Sequence, residues 1–463
     1  MSLRFSRVGH VLASAGAAIG VANLVIFPYR VHYFGGSAYI LAFVAFTLLM
    51  GIPLMVLENA MGKRTGTDAT GAFQLPEASA NWQGVAWLGI VTSIMVASFY
   101  LVLAGWTLEY VWNYLTDYAT VAATPAGPAF GAAIGTIPRA LLFTGIFTGL
   151  VAFVCSRELY AGIERLSKFA MPVLGVLLLF LIVSLPLLRP AALDYGNLLK
   201  FDWRGLLVPT SSGELGILHA LGQAFFSLGL GAVSMLTFAA HADRETDVLR
   251  AAPQIVHLDT AVAILGAILV LPLVGGVEGD IYSGPPLVFI NLVEIFKTYG
   301  EAARWVGLLF FVLLGVAILT SAVSLFEPLL RTMTVRYGWQ RSWGGPVVGG
   351  IVFLLAIPVV VSCSDQGPAW LTDFAGMGDP GLGYFNFLLE WFGSISLLVG
   401  ELLLCWFLLR VWGLPAFFAE LEVGGNPVTA GDRRRLTWQL RYVIPIGIAL
   451  LLLAKGWTLL AVG

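Results

Sequence analysis

Long apolar runs separated by short polar connections dominate this chain and determine its predicted elements. A bilayer core of about 30 Å requires about 20 consecutive apolar residues to cross it as a helix. We number the runs of that kind as spans one to eleven, at residues 8–33, 38–65, 84–117, 137–155, 163–187, 213–241, 251–277, 304–336, 343–362, 381–411 and 434–460. No small-residue cleavage site follows the first run, so we interpret it as a spanning helix and not as a removable signal peptide. The pattern predicts an all-α polytopic membrane protein with eleven transmembrane helices.

Composition agrees with this prediction and excludes other classes. The 463 residues are 58% hydrophobic and 11% charged, with a mean hydropathy of +0.87, which is outside the range of soluble globular domains. Cys155, Cys363 and Cys405 match no metal-ligand spacing and no disulfide framework. There is no basic cluster for nucleic acid, and no nucleophile with a base, metal cluster or phosphate loop supports an enzyme. We expect one transmembrane domain over residues 1–463, with the lipid bilayer as its surroundings.

Two stretches of small residues interrupt the apolar runs. Residues 15–23 lie inside span one and are followed by Phe27-Pro28, and residues 225–234 have the same character in span six. Small residues and proline weaken a membrane helix, and a broken helix leaves carbonyls and amides without partners in hydrocarbon. Such a break is tolerated where it lines a cavity, and its freed carbonyls and amides can then hold a cation and an anion. The sequence therefore predicts that the two breaks face one another across a binding site.

The spacing of the two breaks predicts internal symmetry. Spans one and six are five spans apart, so they enter the membrane from opposite sides, as an inverted five-helix repeat requires. We expect a first repeat at about 8–187, a second at about 213–411, and an additional helix at about 434–460. The argument rests on the pattern alone, because no sequence repeat is visible.

The basic residues predict the orientation. With a cytoplasmic amino terminus, the inner connections hold 17 of the 25 lysines and arginines, as the excess on the cytoplasmic side requires. We therefore expect a multi-pass protein of the cell inner membrane with its amino terminus inside and its carboxyl terminus outside. Two outer connections, 188–212 and 278–303, are long enough for structure of their own. The second has an amphipathic stretch at 289–299 that we interpret as a short helix and a candidate lid.

Oxygen-bearing groups in span eight suggest a sodium site. Thr320 and Ser321 follow an apolar run, with Ala317 one turn earlier. Hard cations prefer oxygen ligands, so these two hydroxyls and the Ala317 carbonyl are suited to meet the freed carbonyls of Gly16 and Ile19. The alternative is that both hydroxyls bond back to their own helix, as serine and threonine commonly do in membranes.

Motifs along nearly the whole chain resemble those of the neurotransmitter:sodium symporters. They are Asn23, Phe27-Pro28 and Gly35-Gly36 in span one; Gly51-Ile52-Pro53-Leu54-Met55, Glu58 and Ala60-Met61-Gly62 in span two; Tyr100 and Gly105-Trp106-Thr107-Leu108 in span three; Gly222-Gln223-Ala224-Phe225-Phe226-Ser227-Leu228 in span six; and Leu319-Thr320-Ser321 with Pro328 in span eight. The chain looks like the bacterial amino-acid transporters of that family that have eleven helices. The resemblance implies two inverted five-helix repeats, discontinuous helices one and six, and sodium ions with no organic cofactor.

The resemblance also implies ligands. One sodium site would use Gly16, Ile19, Ala317, Thr320 and Ser321, and the other Ala18, Asn23, Ser227 and Asp259. The carboxylate of an amino-acid substrate would complete the second site. The Tyr100 hydroxyl would donate to that carboxylate, and the amides around Val21 and Ala22 would face it with the positive end of a helix dipole. Without the resemblance, Tyr100 is equally well interpreted as a packing or interfacial tyrosine.

The implied substrate pocket is apolar. Its lining would be Ala18, Gly20, Val21, Ala22, Val96, Tyr100, Phe226, Ser227, Gly229, Ala232, Ala322 and Leu325. A charged side-chain end would have no partner there, so a neutral, medium to large side group is favoured. Gly20 stands where monoamine carriers of the family have an aspartate. We therefore expect a sodium-coupled symporter of neutral, largely hydrophobic amino acids, and the alternatives are a carrier of a small amine or a GABA-like or betaine-like zwitterion, a channel, or a receptor.

Several positions depart from the family pattern. The charged pair of the outer gate is absent, because Ile26 and Asn386 stand at the two positions; Arg30, one turn above Ile26, is a candidate for a displaced gate. Asp259 replaces an amide-bearing residue, and an acid inside a membrane helix is costly without a partner. We interpret it as a fixed negative charge that makes transport independent of chloride, or as a site of proton exchange. The alternative places Asp259 near the cytoplasmic interface.

Further acids lie within the spans. We expect Glu58 to bond the backbone of the broken first span. Glu327, Glu390 and Glu401 are each either buried and paired or exposed to a water-filled vestibule.

Overall fold

The computed structural model describes residues 5–75, 79–190, 193–210, 215–275, 281–282, 284–376, 382–425 and 427–462. These residues are helical apart from turns and one isolated antiparallel β-bridge, between Gly36 and Phe201. Small parts of the predicted elements lie outside the described residues, namely 191–192 and 211–212 of the first outer connection, 213–214 of span six, 276–277 of span seven, 278–280 and 283 of the second outer connection, and 381 of span ten.

The long helices correspond closely to the predicted spans. Among the described residues, nine continuous helices are long and apolar enough to cross a membrane, namely Ser37–Thr65, Ala80–Thr116, Ile137–Ser156, Ala161–Leu188, Val248–Gly275, Gly300–Tyr337, Arg341–Ser362, Gly383–Trp412 and Ala430–Gly456. A bent pair, Arg7–Ala18 and Ala22–Tyr33, corresponds to span one. Span six is the pair Gly216–Leu228 and Ser234–Ala240, and each helix is too short to cross alone. The total of eleven crossings therefore stays a prediction.

Where a helix end differs from the predicted end of its span, the local structure at the helix terminus explains the difference in two cases. Span eleven begins at Ala430, four residues before the predicted start, because the Thr429 hydroxyl accepts a hydrogen bond from the Asp432 amide at 3.1 Å and caps the helix. Span eight is longer than its apolar run at both ends, since a 3₁₀ turn, Gly300–Ala302, precedes it and Gly338, with φ of 68°, ends it.

The two long outer connections contain short helices. Residues 193–210 include Gly196–Leu199 and Trp203–Leu207. The amphipathic stretch of the second connection is Leu287–Leu292 continued by Val293–Lys297, which we call the 287–297 helix. It packs on span three, where the Tyr110 hydroxyl donates to the Phe289 carbonyl at 3.2 Å. The predicted short helix is therefore present, and its action as a lid stays a hypothesis.

Spans three and eight form the centre of the bundle. They pack along one another, and 83% and 72% of their most apolar windows are buried, compared with 28% for span five. Span five therefore presents most of its apolar surface outward, as a lipid-facing helix does. Close approaches fix the other central helices: a Cβ on Gly62 of span two would lie 1.9 Å from the Leu236 carbonyl of span six, so only glycine allows that contact.

Candidate functional site

Span one is interrupted between its two helices, which meet at 52°. Ile19 has extended backbone, with ψ of 115°, and so turns the chain out of the first helix. A Cβ on Gly20 would lie 2.2 Å from the Tyr100 hydroxyl oxygen and 2.7 Å from Ser321 Oγ. Glycine therefore permits spans three and eight to approach the break, and the predicted break in span one is confirmed.

Span six is interrupted by a strained turn. Gly229 has φ of 61° and Gly231 φ of 87°, conformations that glycine adopts readily. Val233 has φ of 51°, which is rare and costly for a β-branched residue. A Cβ on Gly231 would lie 2.2 Å from the Leu397 carbonyl, so the turn is pressed against span ten. The predicted break in span six is also confirmed.

Glu58 bonds the break of span six and not that of span one, so the expectation for this residue was wrong. Its two carboxylate oxygens accept from the amides of Gly231 at 2.8 Å and Leu236 at 3.1 Å. The physical reason is that the turn and the start of Ser234–Ala240 expose amides without helical partners, and a buried carboxylate satisfies two of them at once. Glu401 of span ten is fully buried and interacts with Glu58.

A cluster of three side chains joins the two breaks to span seven. Asn23 Nδ2 donates to Ser227 Oγ at 3.0 Å and to Asp259 Oδ1 at 2.8 Å, and Ser227 Oγ donates to Asp259 Oδ2 at 2.8 Å. Asp259 has no exposed surface. The alternative position near the cytoplasmic interface is therefore wrong. A Cβ on Gly266, two turns further along span seven, would lie 2.7 Å from the Asn23 carbonyl, so glycine allows span seven to pack on the break.

The oxygens predicted for the other sodium site are also brought together. Ser321 Oγ hydrogen-bonds to the Ile19 carbonyl at 2.7 Å and to the Ala317 carbonyl at 2.8 Å. Thr320 Oγ1 donates to Ala317 at 3.0 Å, and a Cβ on Gly16 would lie 3.2 Å from the Thr320 Cβ. Both sequence interpretations hold in part, because the hydroxyls bond their own helix and Ser321 also reaches span one. A hydroxyl that donates its hydrogen keeps lone pairs for a cation.

The amides of the first break point at side chains of the site. The Gly20 amide donates to Asn23 Oδ1 at 3.0 Å, and the Val21 amide donates to the Tyr100 hydroxyl at 3.2 Å. Tyr100 is 8% exposed and is therefore not a tyrosine of the membrane interface. A phenol that accepts a hydrogen bond still has its own O–H to donate, so this arrangement can bind a carboxylate.

A cavity lies between the two breaks and spans three, eight and ten. Ten of the predicted substrate residues line it, namely Ala18, Gly20, Ala22, Val96, Tyr100, Phe226, Ser227, Gly229, Ala232 and Leu325. Its volume is about 70 Å³, well below the roughly 300 Å³ or more of pockets that hold drug-sized ligands. Side chains must therefore move apart before an amino acid enters. Nothing lies within 4 Å of a Cβ placed on Gly229, so space remains on that side.

Two residues predicted for the cavity lining are not part of it. Ala322 is fully buried and does not line the cavity, because its methyl group packs between helices. Val21 does not line the cavity either and contributes its backbone amide. The sequence interpretation missed six lining residues, namely Ala17, Ser234, Met235, Ser321, Ser324 and Leu397. Ser324 could have been predicted, because its hydroxyl follows those of Thr320 and Ser321 by one helical turn. Leu397 could not, because nothing in the sequence of span ten distinguishes it from the other apolar residues there.

The candidate outer gate contains an amide that sequence reasoning missed. Arg30 donates to Gln223 Oε1 at 2.7 Å, and Gln223 Nε2 donates to the Ala22 carbonyl at 3.0 Å. Gln223 thus connects the guanidinium to the first break, and Arg30 has no acidic partner among the described residues. A glutamine inside an otherwise apolar span was the signal in the sequence, and in the structure its side chain is fully buried.

The remaining intramembrane acids are mostly paired. Glu327 is fully buried and bonds both terminal nitrogens of Arg341, at 2.8 and 2.7 Å, and His241 at 2.9 Å. Glu390 pairs with Lys455 at 2.6 Å in a partly exposed position. Within the described part of the chain, no group of three or more histidine, cysteine, aspartate or glutamate residues is placed to hold a metal ion.

The comparisons with known proteins assign the family. A model of the sodium:neurotransmitter symporter family matches residues 4–123 and 133–423. The chain belongs to this family. Its members are secondary transporters and not enzymes, and sodium is the ion that drives them. The protein is accordingly a multi-pass, sodium-dependent membrane transporter, as its sequence predicts.

Relatives support the assignment over the full length. The chain is 30% identical to the sodium-dependent transporter YhdH of Bacillus subtilis (strain 168), over 97% of this chain and 96% of that protein. The crystal structure of MhsT in complex with L-phenylalanine matches with a TM-score of 0.84 and 30% identity, and covers 98% of this symporter and 99% of that chain. The neutral amino acid transporter B(0)AT2 of Rattus norvegicus is 34% identical over 105 residues, 23% of this chain and 14% of that protein.

Proposed function

We propose that this symporter carries neutral, largely hydrophobic amino acids together with sodium, by alternating access and without a requirement for chloride. The observation that carries the proposal is the cluster of Asn23, Ser227 and Asp259, which joins both breaks beside the central cavity. The cavity has oxygen atoms at the end beside this cluster and apolar side chains at the end near Phe226 and Leu325. It therefore suits a zwitterion with an uncharged side chain.

The proposed ligands are those that the resemblance to the family implies, and hydrogen bonds among several of them support the assignment. Sodium would bind at Gly16, Ile19, Ala317, Thr320 and Ser321, and at Ala18, Asn23, Ser227 and Asp259. The substrate carboxylate would lie between the Tyr100 hydroxyl and the second ion. Because substrate and ion then share one site, each raises the affinity of the other by the same factor, and this shared site couples the two fluxes.

A cationic amine is a less suitable substrate. An aspartate at position 20 would pair with an amine, but even a Cβ there would lie 2.2 Å from the Tyr100 hydroxyl oxygen. The amino acid's own carboxylate therefore supplies the negative charge at this end. MhsT, crystallised in complex with L-phenylalanine, shares the fold at 30% identity, which favours a hydrophobic side group here as well.

Asp259 is proposed to replace the anion that chloride-dependent relatives need. It holds a carboxylate against Asn23 and Ser227, the two other side chains of the second proposed sodium site. A fixed negative charge beside the ion balances it without chloride, and proton exchange at Asp259 during the return step is the alternative mechanism. For orientation, we propose an inner-membrane location with the amino terminus in the cytoplasm, on the basis of the charge distribution of the connections.

Uptake into proteoliposomes tests the proposal. An inward sodium gradient should drive saturable, uphill accumulation of L-phenylalanine or L-leucine, and replacing chloride with gluconate should change nothing. A sodium ionophore should abolish accumulation. Accumulation of GABA, betaine or an alkylamine in place of hydrophobic amino acids would contradict the substrate assignment, and uptake that never exceeds the external concentration would indicate a channel.

A further inference from the structure

A second pocket shares no lining residue with the central cavity. It is formed by the end of span three, the start of span four, the loop helices Tyr118–Ala123 and Ala126–Gly135, and the 287–297 helix. Its volume is about 300 Å³, within the range of pockets that bind small molecules. The proposed transport cycle assigns no role to it.

A buried carboxylate of this pocket has an unused acceptor. Glu109 lines the pocket and its side chain is only 2% exposed. Its Oε1 pairs with Arg139 Nε at 2.6 Å, whereas Oε2 has no hydrogen-bond partner among the described residues. An acceptor that is buried without a partner is costly, and a ligand that donates a hydrogen bond to Oε2 removes this cost; because Oε2 has almost no accessible surface, the pocket wall must move for the two atoms to meet.

The charges around the pocket select a cation. Of its lining residues, Glu109 and Asp117 are acidic and Arg139 is the basic one, so the lining has a formal charge of −1. The Arg139 guanidinium is also held by Asn113 Oδ1 at 2.8 Å. Glu109, Asn113 and Asp117 are spaced by four residues, which places them on one face at the end of span three.

Most of the remaining lining is apolar or aromatic, apart from Thr120, Thr124 and Thr136, and this favours an organic cation over a metal ion. Tyr110, Val121 and Val293 are apolar or aromatic, and alanines of the second loop helix complete that wall. No group of three metal-ligating side chains is present among the described residues. We propose that this pocket is a binding site for a small primary alkylammonium, with its nitrogen at Glu109 and its alkyl chain against the alanine wall.

Binding there would act on the 287–297 helix. The Ala126 amide donates to Glu294, and the Lys297 ammonium donates to the Thr124 carbonyl at 2.5 Å, so the loop helices are tied to the 287–297 helix. Because Val293 of that helix also lines the pocket, an occupant bridges it to span three, which carries Tyr100. The site would therefore restrain the candidate lid. It is independent of what the central cavity carries.

A thermal-shift titration tests the proposal on the full-length protein in detergent, without sodium or amino acid. n-Propylamine should raise the melting temperature in a saturable manner, while 1-propanol and propionate should not. Glu109→Gln should weaken amine binding by about 10- to 100-fold, the range expected for one hydrogen bond to a charged group. Arg139→Gln leaves Glu109 without its competing cation and should tighten binding several-fold.

Hydrogen exchange locates the effect. Propylamine should slow amide exchange in residues 126–135 and 293–297 of the wild type and leave span five unchanged. Equal shifts with propylamine and propanol, unchanged affinity in Glu109→Gln, or protection elsewhere would overturn the proposal. Should Glu109→Gln fail to fold, Arg139→Gln decides: tighter binding supports the site, and unchanged or weaker binding refutes it.

Discussion

At the residue scale, Gly20 is the position where a single methyl group should have the largest effect. A Cβ there would lie 2.2 Å from the Tyr100 hydroxyl oxygen and 2.7 Å from Ser321 Oγ, so Gly20→Ala must push span three or span eight away from the break. We expect sodium-dependent binding of L-phenylalanine to weaken about 5- to 150-fold, because roughly 1–3 kcal/mol of overpacking falls on the site itself. Binding measured by radioligand saturation checks this.

Gly222→Ala is the matched control for Gly20→Ala. Gly222 lies in the first helix of span six, and nothing lies within 4 Å of a Cβ placed there. Alanine is also favoured over glycine inside a helix, so this variant should bind as the wild type does and be slightly more stable. Equal binding by both variants would show that the close approach at Gly20 does not matter for the site.

Asp259 is the residue that we propose replaces the anion of chloride-dependent relatives. Asp259→Asn keeps the size of the side chain and removes the charge that faces Asn23 and Ser227. We expect sodium affinity to fall about tenfold or more, or uptake to acquire a chloride requirement, because the ion then lacks its fixed counter-charge. Sodium titrations of uptake in chloride and in gluconate measure both effects.

Thr260→Val serves as the control for Asp259→Asn. Thr260 is the next residue and is buried, and its hydroxyl has no hydrogen-bond partner among the described residues, so an isosteric valine removes nothing that the site uses. If Asp259→Asn left sodium affinity, pH dependence and chloride independence all unchanged, the proposed role of Asp259 would be wrong.

Sequence could predict most residues of the site because the family motifs contain them. Asn23, Tyr100 and Ser227 stand in those motifs, and the structure brings them to the two breaks. Leu397 could not be predicted, because an apolar residue in an apolar span cannot be distinguished from its neighbours by sequence. Ala322 was placed in the cavity wrongly, since its spacing from Ser321 does not reveal which face of the helix turns inward.

At the scale of elements, the break in span six depends on Glu58. Its carboxylate accepts hydrogen bonds from the Gly231 and Leu236 amides, so Glu58→Gln offers an NH₂ group where an acceptor is required. We expect the free energy of unfolding to fall by about 1–3 kcal/mol, the cost of a buried amide left without a partner. A lower melting temperature and faster amide exchange at residues 231–236 should report this.

Asn59→Leu is the neighbouring control. Both polar atoms of the Asn59 side chain are buried without a hydrogen-bond partner among the described residues, so a leucine, which has the same branching but is larger, loses no hydrogen bond there and should destabilise the protein less than Glu58→Gln does. If Glu58→Gln were as stable as Asn59→Leu, the carboxylate would not be needed to hold the turn.

Elements were more predictable than the turns between them. Runs of about 20 apolar residues locate the spans, because hydrocarbon thickness sets a minimum length. The left-handed Val233 could not be read from sequence, since surrounding contacts and not its own preference impose that conformation. Glu58 was assigned to the wrong break for a related reason: the sequence shows that an acid needs a partner and does not show which of two exposed backbones lies closer.

At the scale of the whole molecule, the segment before span one ties several helices together on the amino-terminal face. The Phe5 amide donates to the His241 carbonyl at 2.8 Å, and the Phe5 ring packs on Phe238 and His241. Ser6 Oγ donates to Glu164 at 2.6 Å, and Lys168 pairs with the same carboxylate. The proposed alternating access requires span one to move at this face, and these contacts would then have to break.

Glu164→Gln should therefore favour opening at the amino-terminal face. Glutamine loses the Lys168 ion pair and weakens the bond from Ser6, while Ser6 still caps the first helix through the Gly9 amide at 3.0 Å. We expect faster amide exchange throughout Arg7–Ala18, with spans three and eight unchanged. Ser156→Ala is the control, because among the described residues the Ser156 hydroxyl bonds only the Phe153 carbonyl of its own helix. Sodium should partly reverse the effect of Glu164→Gln, since an ion bound between Ile19 and Ser321 holds span one against span eight. If exchange rose equally in every span, the variant would have lost global stability and Glu164 would be no part of a gate.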